Sequence, residues 1–155
     1  MVLNSSPIIV LAKLGLLESA VGLFTEVEVP RAVLEEVGKK QDEVYRKLIG
    51  LVEANSIRVE QVDRRIPRLG AGEAEAILLA LLRNKIVVLD DKKARRLARE
   101  LGLEVVGTLS LLKLLYEHKL LGRALDELYH QLIETGFYIE PSIFNKVFRN
   151  TPERF

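Results

Sequence analysis

The sequence has no cysteine, no tryptophan, one methionine and two histidines among its 155 residues. Without thiols there is no disulfide framework, no thiolate nucleophile and no zinc site built on sulfur. Two imidazoles are too few for a typical zinc enzyme. An excess of one charge is missing too. Lys plus Arg total 23 and Asp plus Glu 22, a formal net charge of +1. A basic footprint over the whole chain is therefore absent, and a polyanion partner must be met by local patches. Long apolar runs are also lacking. The opening MVLNSSPIIVLAKLGLL has no basic lead and is broken by Asn4, Ser5, Ser6 and Pro7. This argues against a secretory signal and against a membrane span, and makes a cytoplasmic protein the expectation.

What is present is an ordinary globular mixture, 48% hydrophobic and 29% charged. The length fits one domain, residues 1–155, able to bury roughly 70% of its unfolded surface. Strands are expected at Met1–Leu3, Val27–Val29, Ile57–Val59, Ile86–Leu89 and Glu104–Val106. Helices are expected between them. Ser6 caps the first, with Pro7 in its opening turn and Gly15 as its stop; the next covers Leu17–Phe24. Pro30 opens Arg31–Gly38, and an amphipathic stretch follows at Asp42–Asn55. Asp63 to Gly72 reads as a loop, and Ala71–Arg83 as a strong helix. Lys92–Leu101 ends at Gly102. Thr108 caps a helix reaching about His118, Arg123–Thr135 is another, and Ser142–Phe148 lies in a helical tail, 136–155. The β-branched run Ile86–Leu89 is too short and too clearly bracketed by loop residues for an all-α bundle. Strands alternating with helices predict an α/β fold, a three-layer α/β/α domain with a mostly parallel central sheet.

In such a sheet, ligands sit beyond the carboxyl ends of the strands, near the topological switch point. The residues there are Asn4-Ser5-Ser6, Asp90-Asp91, and Gly107-Thr108 with Ser110 one turn on. All the polar side chains among them bear oxygen. Glu35 and Glu36 near one helix end, and Glu73 and Glu75 at the start of another, can add carboxylates. An oxygen-only set suits Mg²⁺ or Mn²⁺. Asp is also a favoured helix N-cap, so one of Asp90 and Asp91 is expected to cap. Lys92, Arg95, Arg96 and Arg99 recur at i, i+3, i+4 and i+7. They form a basic stripe beside Asp90-Asp91, with Ala94, Leu97, Ala98 and Leu101 expected on the core side. A second basic cluster is Arg64, Arg65 and Arg68. His118 and His130 have no metal-like spacing. The leucines of Leu109–Leu121 read as core or as a subunit interface, and a homodimer is the expectation.

The ordered segments VLNSSPIIVLAKLG, VPRAVLEEV, LGAGEAEAILLA, IVVLDDKKARRLARELGLEVVGTLSLL and GFYIEPSIFNKVF resemble the PIN-domain family. Within it, they resemble a prokaryotic branch related to toxin–antitoxin ribonucleases. The resemblance implies a single-stranded RNA endonuclease in which an acidic cluster holds Mg²⁺ or Mn²⁺. RNA and an antitoxin protein would be its partners. The family's acidic positions fall on Asn4, Glu36, Glu73 (with Glu75 as its neighbour) and the Asp90-Asp91 pair. Its small hydroxyl residue falls on Thr108. Ser5, Ser6, Lys92 and Arg95 would lie beside substrate. Asn4 departs from the pattern, because the family's first position is an Asp. An amide oxygen can ligate Mg²⁺ but brings no charge. The alternative is therefore a catalytically silent module that binds nucleic acid or protein. A phosphoacceptor receiver domain needs its acidic pair after the first strand, and here the pair lies past mid-chain.

Overall fold

The computed structural model describes residues 1–63 and 65–149. Arg64 of the second basic cluster and the end of the tail, 150–155, lie outside the described residues. The order along the chain is β1 (Val2–Leu3), α1 (Ser5–Lys13), α2 (Leu17–Val21), β2 (Glu28–Pro30), α3 (Arg31–Gly38), α4 (Glu43–Glu53) and β3 (Arg58–Glu60). There follow α5 (Ala71–Arg83), β4 (Val87–Val88), α6 (Lys92–Glu100), β5 (Val105–Val106), α7 (Thr108–Glu117), α8 (Leu125–Glu134) and α9 (Pro141–Phe148).

The strands form one sheet in the order β3-β2-β1-β4-β5, and every pairing is parallel. Chain connections run outward from β1 to β2 and β3, then return to β4 on its other side. The switch point therefore lies between β1 and β4, where the crevice beyond the strand ends opens. Asn4 follows β1 and Asp90-Asp91 follow β4, so the topology alone brings these residues together.

Side chains alternate across the sheet with period two, and this divides the core. Val2, Val87 and Leu89 point to the layer of α5 and α6, where Ala76, Ile77, Ala80, Ala94 and Ala98 are buried. Met1, Leu3 and Val88 point to the opposite layer, with Ile8, Leu11, Val33, Leu48, Leu112, Leu128, Phe144 and Phe148. The alanines of α5 and α6 bring those helices close to the sheet. Leu111, Leu112 and Leu115 of α7 are buried in this core. Away from the crevice, the buried Glu28 carboxylate meets Arg83 Nε at 3.3 Å and Lys85 Nζ at 3.3 Å, tying β2 to the segment leading into β4. Among the described residues, no helix is long and apolar enough to cross a membrane.

Several helix ends differ from the sequence reading. Helix α1 begins at Ser5 with Asn4 in the N-cap place, and Ser6 caps nothing. Gly107, not Thr108, occupies the N-cap place of α7. Both hydroxyls are drawn to Asp90, a tertiary partner that local capping rules do not see. Helix α2 stops at Val21, short of Phe24. Helix α4 starts at Glu43 because Asp42 caps it through the Tyr45 N–H. Arg123 lies ahead of α8, its guanidinium held by the Leu121 carbonyl and Gln131. Leu101 is 45% exposed, off the core side assigned to it. It is the C-cap residue of α6, past the last helical turn.

Leu3 is fully buried in a central strand and Leu82 is 75% exposed. Leu3→Ala is expected to cost about 2–5 kcal/mol in urea unfolding, and Leu82→Ala to stay within about 0.5 kcal/mol. Equal losses for the two would contradict this core.

Candidate metal centre at the strand ends

Three strand ends meet at Asp90. Its Oδ1 accepts from the Thr108 backbone N–H at 2.8 Å. Its Oδ2 accepts from the Thr108 hydroxyl at 2.6 Å and from the Ser6 hydroxyl at 3.0 Å. Thr108 is fully buried. Thus one carboxylate joins the β1–α1, β4–α6 and β5–α7 junctions. Gly107 leaves room for this: a Cβ there would lie 3.0 Å from Asp90 Oδ1 and 3.1 Å from an Arg95 guanidinium nitrogen. The Ser6 and Thr108 hydroxyls both donate to Asp90.

Asp91 points differently. It is exposed, and its Oδ1 caps α6 by accepting from the Ala94 N–H at 2.9 Å. One member of the pair caps, as expected. The other is engaged in the strand-end junction.

Across the crevice, α3 and α5 pack against each other and bring Glu36 over Gly72. A Cβ on Gly72 would fall 2.7 Å from Glu36 Oε2, 3.3 Å from Val33 and 3.5 Å from Asn4 Oδ1. The Glu36 carboxylate and the Asn4 amide oxygen therefore converge on one spot that only glycine leaves open. Asn4 is 6% exposed, and among the described residues its Oδ1 has no hydrogen-bond donor and the buried Ser5 hydroxyl no partner. Buried acceptors are nearly always satisfied, so an orphaned amide oxygen beside a carboxylate marks a place for a cation or a donor.

Glu73 stands in the first turn of α5, near Gly70. Its carboxyl is held above the usual glutamate range, first by burial and then by the negative charges of Asp91 and Glu36; a backbone hydrogen bond with Gly70 and the charge of Lys93 pull the other way. Glu73 thus lies within reach of the charges of Asp91 and Glu36. Glu75 does not join them. Its Oε1 accepts from the Ala32 N–H at 3.3 Å, at the start of α3.

The donors facing the crevice are the amide oxygen of Asn4 and the carboxylates of Glu36, Glu73 and Asp91. All are hard oxygens of the kind Mg²⁺ and Mn²⁺ take, and the orphaned Asn4 Oδ1 beside Glu36 fits such an ion. Among the described residues, no three Asp, Glu, His or Cys side chains are gathered closely enough to hold one by themselves. The set relies on the asparagine. Sequence reasoning missed Gly72, whose lack of a Cβ makes the convergence possible. The only signal was a glycine inside the start of an otherwise Ala- and Leu-rich helix. It also missed Lys93, which joins α6 to the preceding loop through the Arg68 carbonyl at 3.3 Å.

A protein-family model described as a PIN domain matches residues 1–153. Among solved structures, a PilT N-terminus domain protein from the archaeon Sulfolobus solfataricus P2 is similar at 21% identity and a TM-score of 0.50. The match covers 72% of this chain and 88% of that one. A domain of a functionally unknown protein from Methanocaldococcus jannaschii DSM 2661 is similar at 25% identity and a TM-score of 0.49, covering 68% and 88%. No curated protein matches the chain.

Removing the junction carboxylate strands three donors. Asp90→Ala is expected to cost roughly 3 kcal/mol in chemical denaturation, against about 1 kcal/mol for Asp91→Ala, which removes one cap. A smaller loss at Asp90 would refute its junction role. Glu73 gives a pH signature. Its folded pKa lies above its unfolded value, so its contribution is fully present below the ordinary glutamate pKa and is lost as pH rises through the folded value. Glu73→Gln is therefore expected to melt higher than the parent protein at pH 7, with the gap closing in acid. A gap that is the same at both pH values would show that the carboxyl is not under strain.

Proposed function

Because the chain belongs to the PIN-domain family, we propose that it is a metal-dependent endonuclease acting on single-stranded RNA, with Mg²⁺ or Mn²⁺ as cofactor. The narrower form of this reading is the toxin of a toxin–antitoxin pair, with an antitoxin protein as partner. The observation that carries the nuclease reading is the buried, donorless Asn4 oxygen facing Glu36 over Gly72, at the switch point of a parallel sheet.

Asn4, Glu36, Glu73 and Asp91 would hold the ion. When bound, it supplies Lewis-acid polarisation of a phosphodiester and lowers the pKa of water. The chain's own residues do the rest. Asp90 fixes the strand ends so that Asn4 and Asp91 keep their places. Gly72 admits the Glu36 carboxylate. Lys92, exposed at the first position of α6, and Arg95, one turn on, supply positive charge for the scissile phosphate and its neighbours.

A second reading, a silent binding module, is favoured by one feature. The neutral Asn4 leaves the crevice with one carboxylate fewer than the family pattern, and Asp90 is already spent on the junction. Both readings meet one experiment. Single-stranded RNA is incubated with the protein and Mn²⁺, with and without chelator, beside Glu36→Gln, Asp91→Asn and Asn4→Asp. The expected result is chelator-sensitive cleavage that falls by about 100-fold or more in Glu36→Gln and Asp91→Asn. Cleavage that appears only in Asn4→Asp would establish the silent module. Absence of cleavage in every form would sink the nuclease reading.

A further inference from the structure

Helix α6 has the sequence KKARRLARE. Ala94 and Ala98 are fully buried against the sheet, whereas Lys92, Arg96 and Arg99 are exposed and Arg95 is half-buried. With Glu100 these four cations line an open depression of about 480 Å³. Among the described residues, none of the four forms an ion pair, with Glu100, Glu104 or any other carboxylate. The arrangement works against the helix itself. Like charges at i+3 and i+4 repel, and Lys92 sits at the positive end of the helix dipole. A helix paired with its own carboxylates would avoid both costs. The stripe starts next to Asp91 and runs about 10 Å along the axis at 1.5 Å per residue, leading away from the crevice.

We propose that the outer face of α6 is a binding track for the phosphate backbone of a single nucleic-acid strand, with Arg96 and Arg99 engaging phosphates beyond the scissile one. This rests on the nuclease reading for the identity of the strand, but not for the existence of the track. Arg96 and Arg99 stand about one and two turns beyond Lys92 along α6, so their role is affinity and register.

The test is fluorescence anisotropy of a labelled single-stranded RNA on the full chain, in chelator to prevent cleavage, over a series of salt concentrations. Arg96→Gln/Arg99→Gln is expected to weaken binding and to lower the slope of log affinity against log salt by about 1.4, the counterions of two single-strand phosphates. The control is Lys39→Gln/Lys40→Gln, which removes two exposed charges at the end of α3. An unchanged slope in the Arg pair, or an equal drop in the control, would overturn the track. Failure to bind RNA, with stripe-dependent binding of poly-glutamate, would overturn it in favour of an acidic protein partner. Circular dichroism confirms that each variant is folded. RNA that binds through the stripe but is never cleaved with Mn²⁺ would remove the nuclease reading and leave the track. Cleavage with an unchanged slope would do the reverse.

Discussion

The Asp90 carboxylate is the point on which the crevice depends. A parallel sheet of short strands holds its strand ends weakly. Here β1, β4 and β5 are each two residues long, so few ladder bonds fix where the following helices start. Asp90 supplies the missing constraint by accepting one backbone N–H and two hydroxyls from the neighbouring junctions. A charged acceptor makes stronger hydrogen bonds than a neutral one, and the buried Thr108 keeps water from competing. With the junctions fixed, Asn4 is presented at the end of β1 and Asp91 at the start of α6, where it caps that helix and its charge reaches Glu73. The residue that best resembles a ligand by position is thus the one that holds the others in place.

Charge accounts for the rest of the site. Burial first, and then the charges of Asp91 and Glu36, raise the proton affinity of Glu73. A fourth carboxylate at position 4, buried and without a donor, would add an unpaired charge in a poorly solvated place, which is costly without a cation. Asparagine keeps the oxygen and drops the charge. The crevice can therefore stay folded when no ion neutralises it, while its pull on a divalent cation is weaker than with four anions.

Much of the fold was legible in the sequence, because the signals were local. Ile86–Leu89 is apolar and β-branched, and alternation of strand and helix fixed the layers. The Gly and Pro positions marked most helix limits. The site was legible only as a set of positions. Which of Asp90 and Asp91 enters the crevice depends on side-chain direction at a strand end, and which of Glu73 and Glu75 does so depends on where α3 crosses α5. Neither is encoded in spacing. Ser6 and Thr108 looked like caps because a local rule explains them, and the tertiary acceptor that outcompetes the cap lies 84 residues from one and 18 from the other.

The near-neutral total of 23 basic and 22 acidic residues carries a different meaning once the side chains are placed. Unlike charges left to mix would pair over the surface. Some do, as at Glu28 with Arg83 and Lys85. Near the crevice, among the described residues, they do not pair. Carboxylates stand on α3, on α5 and ahead of α6, and cations follow one another along α6. Each group bears self-repulsion that mutual pairing would relieve. Segregation of that kind is stable only because α6 is anchored from beneath by Ala94 and Ala98, which let its backbone lie close to the sheet while its charges stand in solvent. The geometry that keeps the two signs apart is the same geometry that would let a cation settle on one side and a polyanion on the other.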